Sequence, residues 1–313
     1  MVISQKFIGK EYPKTSYKIG REKLKEFLIA IKGDLEKFSE ITPPTFSVVY
    51  QHELLAAVLF DKELKLNLAK LVHGEQEFVY HKPTLVGDTI TTSGSIEKIF
   101  QKGPHDFVVF KTSSKNQVDE LVCESIWTFV MRGGNDKEFT LKEKVLMKLM
   151  SLMPANPKET KIKLEALAKL SKKAEKKVDL SRAKQDLWYF EKINETTSVM
   201  NVFIDKYMPQ VYAGASGDFN IIHLDENFGK SVGLGGNILH GMATMALGAN
   251  FACYGIDPKT IKRYKVRFSG VVKPMDTITF KGEWSEATKT FSFKAKNQLG
   301  QEVLNSAQLE LQQ

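Results

Sequence analysis

The chain predicts an α+β fold of two related halves, each a long antiparallel sheet wrapped around one buried helix. Three observations carry this. Residues 51–60 (QHELLAAVLF) and 241–251 (GMATMALGANF) are apolar around too much of a helical circumference for a surface helix, so each must be enclosed. Each precedes segments rich in β-branched and aromatic residues, broken by turn signals such as Gln298-Leu299-Gly300. Finally, short blocks recur in the same order. The first half has His73-Gly74, Lys82-Pro83, Asp88-Thr89-Ile90-Thr91 and Lys115-Asn116-Gln117; the second has His240-Gly241, Lys273-Pro274, Asp276-Thr277-Ile278-Thr279 and Lys296-Asn297-Gln298. Such recurrence reads as duplication of a domain, not as a short-period solenoid.

Taken in chain order, residues 1–136 form the first half, its helix at 51–60 followed by the strand-like runs DTITTSGSIEKIF, FVVFKTSSKNQ and CESIWTFVM. Residues 137–184 are a lysine-rich connector. Pro154 and Pro157 break it before a helix-forming run, KLEALAKLSKKAEKKV, whose Leu164, Leu167 and Leu170 make one narrow apolar stripe suited to lying on the surface. Residues 185–313 form the second half, with strands expected at DTITFKGEWSEA, FSFKAKNQ and SAQLELQ. Asp88 and Asp276 stand just before strands and read as turn residues.

At 313 residues, 42% hydrophobic and 26% charged, the composition is that of a soluble globular protein of about two domains. The N-terminal residues lack the uninterrupted apolar core of a signal peptide, and the apolar run at 243–256 is too short to span a bilayer. Two cysteines, Cys123 and Cys253, lie in apolar surroundings without CxxC spacing, as expected of reduced core thiols in the cytoplasm. The net charge of +8 is concentrated in the connector, where it reads as a solvated helix face or as attraction for an anionic ligand. No basic-aromatic RNA motif, zinc finger or phosphate-loop pattern is present, so no nucleic-acid partner is expected.

The chemistry gathers in residues 212–241, YAGASGDFNIIHLDENFGKSVGLGGNILHG. Asp218 and His223 lie five residues apart in a Gly-rich turn expected to be non-helical, and His240-Gly241 opens the second buried helix. A carboxylate and an imidazole can exchange the protons of one water. The backbone N–H of Gly241, at the positive end of a helix, can hold a developing oxyanion. Asn220 is placed to orient the pair or the water, and His240 either joins the site or packs at the helix start. His73, without an acid partner in its own half, reads as structural, and His52, His81 and His105 show no ligand spacing that would assign them chemistry.

With Tyr212, then Ser216-Gly217-Asp218-Phe219-Asn220-Ile221-Ile222-His223, then Ile238-Leu239-His240-Gly241, the chain resembles the MaoC-like (R)-specific enoyl hydratase and 3-hydroxyacyl thioester dehydratase family, in its double hot-dog form. Ile221 stands where the family has proline. The first half resembles the family's non-catalytic hot-dog through Pro43-Pro44-Thr45-Phe46 and His73-Gly74-Glu75-Gln76-Glu77-Phe78, and it lacks the Gly-Asp-x-Asn-x-x-His pattern. The resemblance implies catalysis by Asp218 and His223, with Gly241, Asn220 and His240 at the substrate.

It further implies reversible dehydration of (R)-3-hydroxyacyl thioesters, or hydration of trans-2-enoyl thioesters, in fatty-acid metabolism with a lean toward synthesis. The carrier is coenzyme A or acyl carrier protein, no metal or redox cofactor is implied, and the protein is a monomer or a homodimer. Which of Asp218 and His223 takes the first proton stays open. Two other functions fit the same fold: a catalytically silent acyl-thioester binding or scaffold module, and a hot-dog thioesterase.

Overall fold

Among the described residues, eleven strands form one antiparallel sheet whose order is nearly palindromic, and that order follows from two copies of one hairpin plan meeting at a seam. The computed structural model describes residues 3–68, 70–133 and 188–312. The lysine-rich connector and its expected surface helix therefore lie outside the described residues. In the first half, β1 (Glu11–Lys18) leads to α1 (Arg21–Ala30) and to α2 (Ser47–Leu59), then to β2 (Leu71–Tyr80), β3 (Thr89–Lys102), β4 (His105–Lys115) and β5 (Leu121–Met131). The second half runs β6 (Trp188–Lys192), β7 (Thr197–Phe203), α3 (Met208–Ser216), α4 (Ile221–Leu224), α5 (Glu226–Ser231), α6 (Gly241–Ala252), β8 (Ile261–Phe268), β9 (Thr277–Ser285), β10 (Thr290–Asn297) and β11 (Glu302–Leu311). Across the sheet they lie in the order β1-β3-β4-β5-β2-β8-β11-β10-β9-β7-β6. Strand for strand, β1 matches β7, β3 matches β9, β4 matches β10, β5 matches β11 and β2 matches β8; β6 is an added edge hairpin partner of β7.

The seam is the β2–β8 pair, in register from Glu75↔Arg267 to Val79↔Arg263. Its solvent side carries a ladder of ion pairs: Arg263 to Glu77 at 2.7 Å and to Glu310 at 2.6 Å, and Lys265 to Glu75 at 2.7 Å. These partly covered contacts, with Arg263 bridging two carboxylates, set register more than they add stability.

The recurring blocks turn out to be one structural device used twice. Asp88 accepts from the Leu85 N–H at 2.8 Å and from Gln117 Nε2 at 3.1 Å, while Gln117 Oε1 accepts from the Thr89 N–H. Asp276 accepts from the Lys273 N–H at 2.8 Å and from Gln298 Nε2 at 2.7 Å, while Gln298 Oε1 accepts from the Thr277 N–H. Each aspartate's own carbonyl receives the N–H of an isoleucine, Ile19 in the first half and Ile204 in the second, both at 2.8 Å. The turn reading of both aspartates is borne out.

One pair in the expected repeat is not equivalent. His240 N-caps α6, whereas His73 and Gly74 sit inside strand β2, opposite Phe129 and beside the seam. The strand matching β2 is β8, which contains neither residue type in that order. Helix α6 matches α2, and the position of Gly241 is taken in the first half by Pro44, as shown below.

Both long helices are enclosed as their composition predicts, but by different means. Ten of the twelve residues of α6 are buried, and its Phe251 meets Phe280, Phe291 and Phe293 edge-on or tilted at 5.1–6.0 Å. Helix α2 is held by a polar network: Gln51 Nε2 donates to Ser114 and Ser125 hydroxyls, and its Oε1 accepts from Thr112 and the Trp127 indole N–H. All four hydrogen-bonding positions of the amide are used, which is what allows a fully buried glutamine. Both cysteines are free and buried, and burial pushes the thiols up to about 11 for Cys123 and about 12 for Cys253. Among the described residues no helix is long and apolar enough to cross a membrane.

Candidate active site

The segment from Gly217 to Gly241 is built from short turns because almost every residue in it satisfies a backbone group. Helix α3 ends at Gly217 in the left-handed conformation (φ 87°), whose N–H returns to the Ala213 carbonyl. A Cβ at this position would lie 2.9 Å from the ring of His52 on α2, so both the backbone angle and the close approach call for glycine. The Asp218 N–H donates to Ser216 Oγ, and Asp218 Oδ1 accepts from the Asn220 N–H at 3.1 Å. Asn220 N-caps α4 by accepting from the Ile222 N–H. Ile221 is the first residue of that helix, a position where an N–H has no intrahelical partner and proline is readily accommodated. The family's proline and this isoleucine are thus interchangeable in backbone terms.

The turn expected around Asp218 and His223 is accordingly more helical than its glycines suggested. Tyr212 lies in α3 and His223 in the single turn of α4, with only residues 217–220 irregular between them. Side-chain caps and a left-handed glycine let two short helices abut, which no local propensity signals.

Three side chains converge. His223 donates Nδ1–H to the Ile238 carbonyl at 2.9 Å, which leaves Nε2 with its lone pair. His240 donates Nε2–H to the Asp218 carbonyl at 2.8 Å and stacks on His223 with ring centroids 3.7 Å apart. Asp218, His223 and His240 each present a potential ligand atom within 4.8 Å of the others. His223 Nδ1 and His240 Nε2 are each spent on a backbone carbonyl, which leaves one nitrogen per ring for a water. Burial lowers the His223 pKa against the opposing pull of Asp218 and the Ile238 carbonyl, and drops His240 to about 3. Burial pushes Asp218 the other way, but the imidazoles of His240 and His223 and the Asn220 N–H outweigh it and hold the carboxyl below its usual range. At neutral pH the group is one carboxylate among neutral imidazoles.

Helix α6 starts at Gly241, with His240 extended as its N-cap, so the first-turn N–H groups point to the same space. Asp218, Asn220, His223, His240 and Gly241 all line one cavity of about 220 Å³. Its far wall comes from the first half: His52, Leu55 and Ala56 of α2, His73 of β2, and Trp127 and Phe129 of β5. The structure thus places every expected site residue at one cavity and adds His52, whose signal was a lone imidazole on an otherwise enclosed helix. His73 remains a packing residue in kind, stacked on Trp127 at 5.5 Å and tilted to Phe268 at 4.9 Å, but it packs in the cavity wall. Burial lowers it to about 4. Among the described residues, His73 Nε2, His240 Nδ1 and the Tyr212 hydroxyl are buried without a partner, each a cost of about 1–3 kcal/mol that packing elsewhere must offset. His81 pairs with Glu124 at the surface, and His105 accepts from the Gly133 N–H; neither approaches the cavity.

The first half lacks the same chemistry for identifiable reasons. Counting from the matched Ile19 and Ile204, Lys32 stands where Gly217 does and Phe38 where His223 does. Lys32 is also left-handed (φ 54°). The Thr42 N–H donates to Thr84 O as the Leu239 N–H donates to Val272 O, so Pro43 and Pro44 occupy the places of His240 and Gly241. Proline has no N–H, and the oxyanion donor is gone.

Fold and site together define a double hot-dog with one acid/imidazole pair at the head of its second buried helix. The family model for the MaoC like domain matches residues 191–306, and that for the FAS1-like dehydratase domain region matches residues 6–125. The chain belongs to the MaoC-like dehydratase family in its double hot-dog form, and that membership carries a hydratase or dehydratase function in general. A UPF0336 protein of Saccharopolyspora erythraea is 36% identical over 146 residues, which cover 42% of this chain and 94% of that protein. A solved MaoC-like dehydratase superposes with a TM-score of 0.73 at 21% identity, covering 98% of both chains. A Mycobacterium tuberculosis protein described as having a double hot-dog fold superposes with a TM-score of 0.56 at 11% identity, over 97% of this chain and 96% of that one.

Proposed function

We propose that the protein reversibly dehydrates (R)-3-hydroxyacyl thioesters, hydrating trans-2-enoyl thioesters in reverse, on coenzyme A or acyl carrier protein, within fatty-acid metabolism and on the synthetic side. One observation carries the reading: Asp218 and His223 face the same cavity as the N-terminal N–H groups of α6. The second half, residues 185–313, is the catalytic half. The first, residues 1–136, supplies the apolar wall for the acyl chain.

In hydration, one water hydrogen-bonds to His223 Nε2 and to the Asp218 carboxylate. As its oxygen bonds to Cβ, His223 takes one proton through Nε2 and returns it to Cα. The Cβ–O and Cα–H bonds form while one O–H bond of the water breaks, and the transient enolate oxygen is held by the Gly241 N–H. Acid-base assistance of this kind contributes about 10²–10⁴ in rate, and an oxyanion donor about 10²–10³. No metal or redox cofactor enters the scheme.

The test is the ultraviolet absorbance of trans-2-enoyl-CoA with wild type, Asp218→Asn and His223→Ala. Loss of the conjugated signal by wild type alone, giving (R)-3-hydroxyacyl product, is the expected result. Inactivity on coenzyme A followed by activity on acyl carrier protein thioesters would fix the carrier. Inactivity on both would replace the enzyme by a binding module, and release of free thiol would indicate a thioesterase.

A further inference from the structure

The catalytic cavity is formed by the 217–223 turn of the second half against helix α2 of the first. Pseudo-two-fold symmetry requires a mate, formed by the first half's turn after α1 against helix α6. That mate is open. A cavity of about 330 Å³ lies between Lys32, Lys37 and Phe38 on one side and Val202, Leu247 and Cys253 on the other. It has lost the chemistry, with Phe38 in place of His223, but not the space.

Its lining separates by polarity. Phe38, Val202, Leu247 and Cys253 are all buried, and with Met200 they make an apolar interior. Two ammonium groups stand against it. Lys32 Nζ donates to the Phe203 carbonyl at 2.8 Å, and Lys37 Nζ donates to the Cys253 carbonyl at 2.7 Å while lying 5.8 Å from the Phe38 ring centroid. An ammonium has three donors, so each retains capacity beyond that carbonyl. The one carboxylate in the wall, Asp34, spends Oδ1 on the N–H groups of Glu36 and Lys37, leaving a net positive lining. Burial also lowers the Lys32 pKa, with Asp205 opposing, so an added anion there would relieve a cost already present.

We propose that this second, catalytically silent cavity is a binding site for a single-chain carboxylate, a free medium-chain fatty acid, with the head group on Lys32 and Lys37 and the tail against Val202, Leu247 and Met200. Only the kind of tail follows from the acyl reading of the catalytic cavity. Binding is measured without turnover, so the two can fail separately.

The experiment is calorimetric titration of the full chain with decanoate and, as the uncharged control, decanol. It is run on wild type, on Ala56→Trp (which fills the catalytic cavity) and on Ala56→Trp/Val202→Phe (which fills both). Decanoate is expected to bind Ala56→Trp and to fail on the double variant, and decanol to bind Ala56→Trp about tenfold more weakly or worse. Added to Ala56→Trp, Lys32→Gln and Lys37→Gln, substitutions that leave the core untouched, should each weaken decanoate by about three- to tenfold, the range of a partly exposed charge-assisted hydrogen bond. Binding retained in the double variant, binding lost in Ala56→Trp, equal affinity for decanol, or no binding at all would each overturn the proposal.

Discussion

The two halves share a strand order, a turn device and a buried helix, yet among the described residues only the second sets an acid and an imidazole at the head of that helix. The difference is small in sequence and large in consequence. In the second half a glycine, a histidine and a helix-initial glycine occupy three places that a lysine, a phenylalanine and a proline occupy in the first. None of these changes disturbs the sheet, because all lie in the segment between the first strand and the buried helix. Catalytic capacity on this scaffold therefore resides in connections, while the strands keep the two versions superposable. The first half is not idle: its α2 and β5 complete the wall of its partner's cavity, so neither half alone holds a closed site.

The largest expected effects break the asymmetry directly. Asp218→Asn or His223→Ala should lower kcat by about 10²–10⁴, and Gly241→Pro, which copies Pro44 and deletes the donor, by about 10²–10³. Phe38→His should confer nothing, since the oxyanion donor is missing there and Gly33 stands at the place of Asp218. Steady-state kinetics on the enoyl thioester measures all four. A measurable second activity in Phe38→His would show that neither the carboxylate nor the helix-initial N–H is required.

The next contrast concerns how each helix is held. Phe293→Ala opens the aromatic cluster around α6 and should cost about 3–5 kcal/mol. Gln51→Leu strands the Ser114, Ser125 and Thr112 hydroxyls and the Trp127 N–H, and should cost about 2–4 kcal/mol through unsatisfied groups. Urea unfolding separates them. A neutral Gln51→Leu would mean that the network specifies helix register without stabilising it.

Acid titration adds a third contrast, since the buried histidines crowd the catalytic cavity. His240 and His73 have folded pKa values of about 3 and about 4, below the unfolded value near 6.5. Between those limits the unfolded chain binds the extra protons, so stability rises with pH. It is fully present above about pH 6.5 and falls by about 1.4 kcal/mol per pH unit per histidine as pH drops toward 4. His73→Phe should flatten that slope by one proton. Because burial lowers the His223 pKa, the acid-side decline of kcat/KM should fall at a lower pH than for an ordinary imidazole.

The smallest effect probes what the halves share. Asp276 is buried and Asp88 is not, so Asp276→Ala should cost about 1–3 kcal/mol and Asp88→Ala about 0.5–1.5 kcal/mol, through loss of the same two bonds. Equal costs would mean that burial adds nothing to this device.

Much of this was legible in the chain. Periodicity marked α2 and α6, the alternating runs marked β3, β4, β5, β9, β10 and β11, and the Asp-Thr-Ile-Thr and Lys-Asn-Gln blocks marked one turn used twice. Helix α1 was not among the expectations, although Leu24, Phe27 and Leu28, buried on one face, have helical spacing. Asp218, His223 and Gly241 stood out because their residue types and spacing are those that proton transfer and an oxyanion require, and such requirements are local.

What the sequence could not decide were contacts between residues far apart along it. His73-Gly74 and His240-Gly241 are identical as text, yet one pair lies in a strand at the seam and the other caps a helix, because strand pairing, not dipeptide identity, fixes the surroundings. His52 reaches the catalytic turn only because α2 crosses to it and Gly217 lacks a Cβ. The second cavity exists because two halves that match strand for strand leave matching spaces, and nothing in either half alone records that the space on the silent side stayed open. Local chemistry is written residue by residue; cavities and their partners arise from packing, which depends on the whole chain at once.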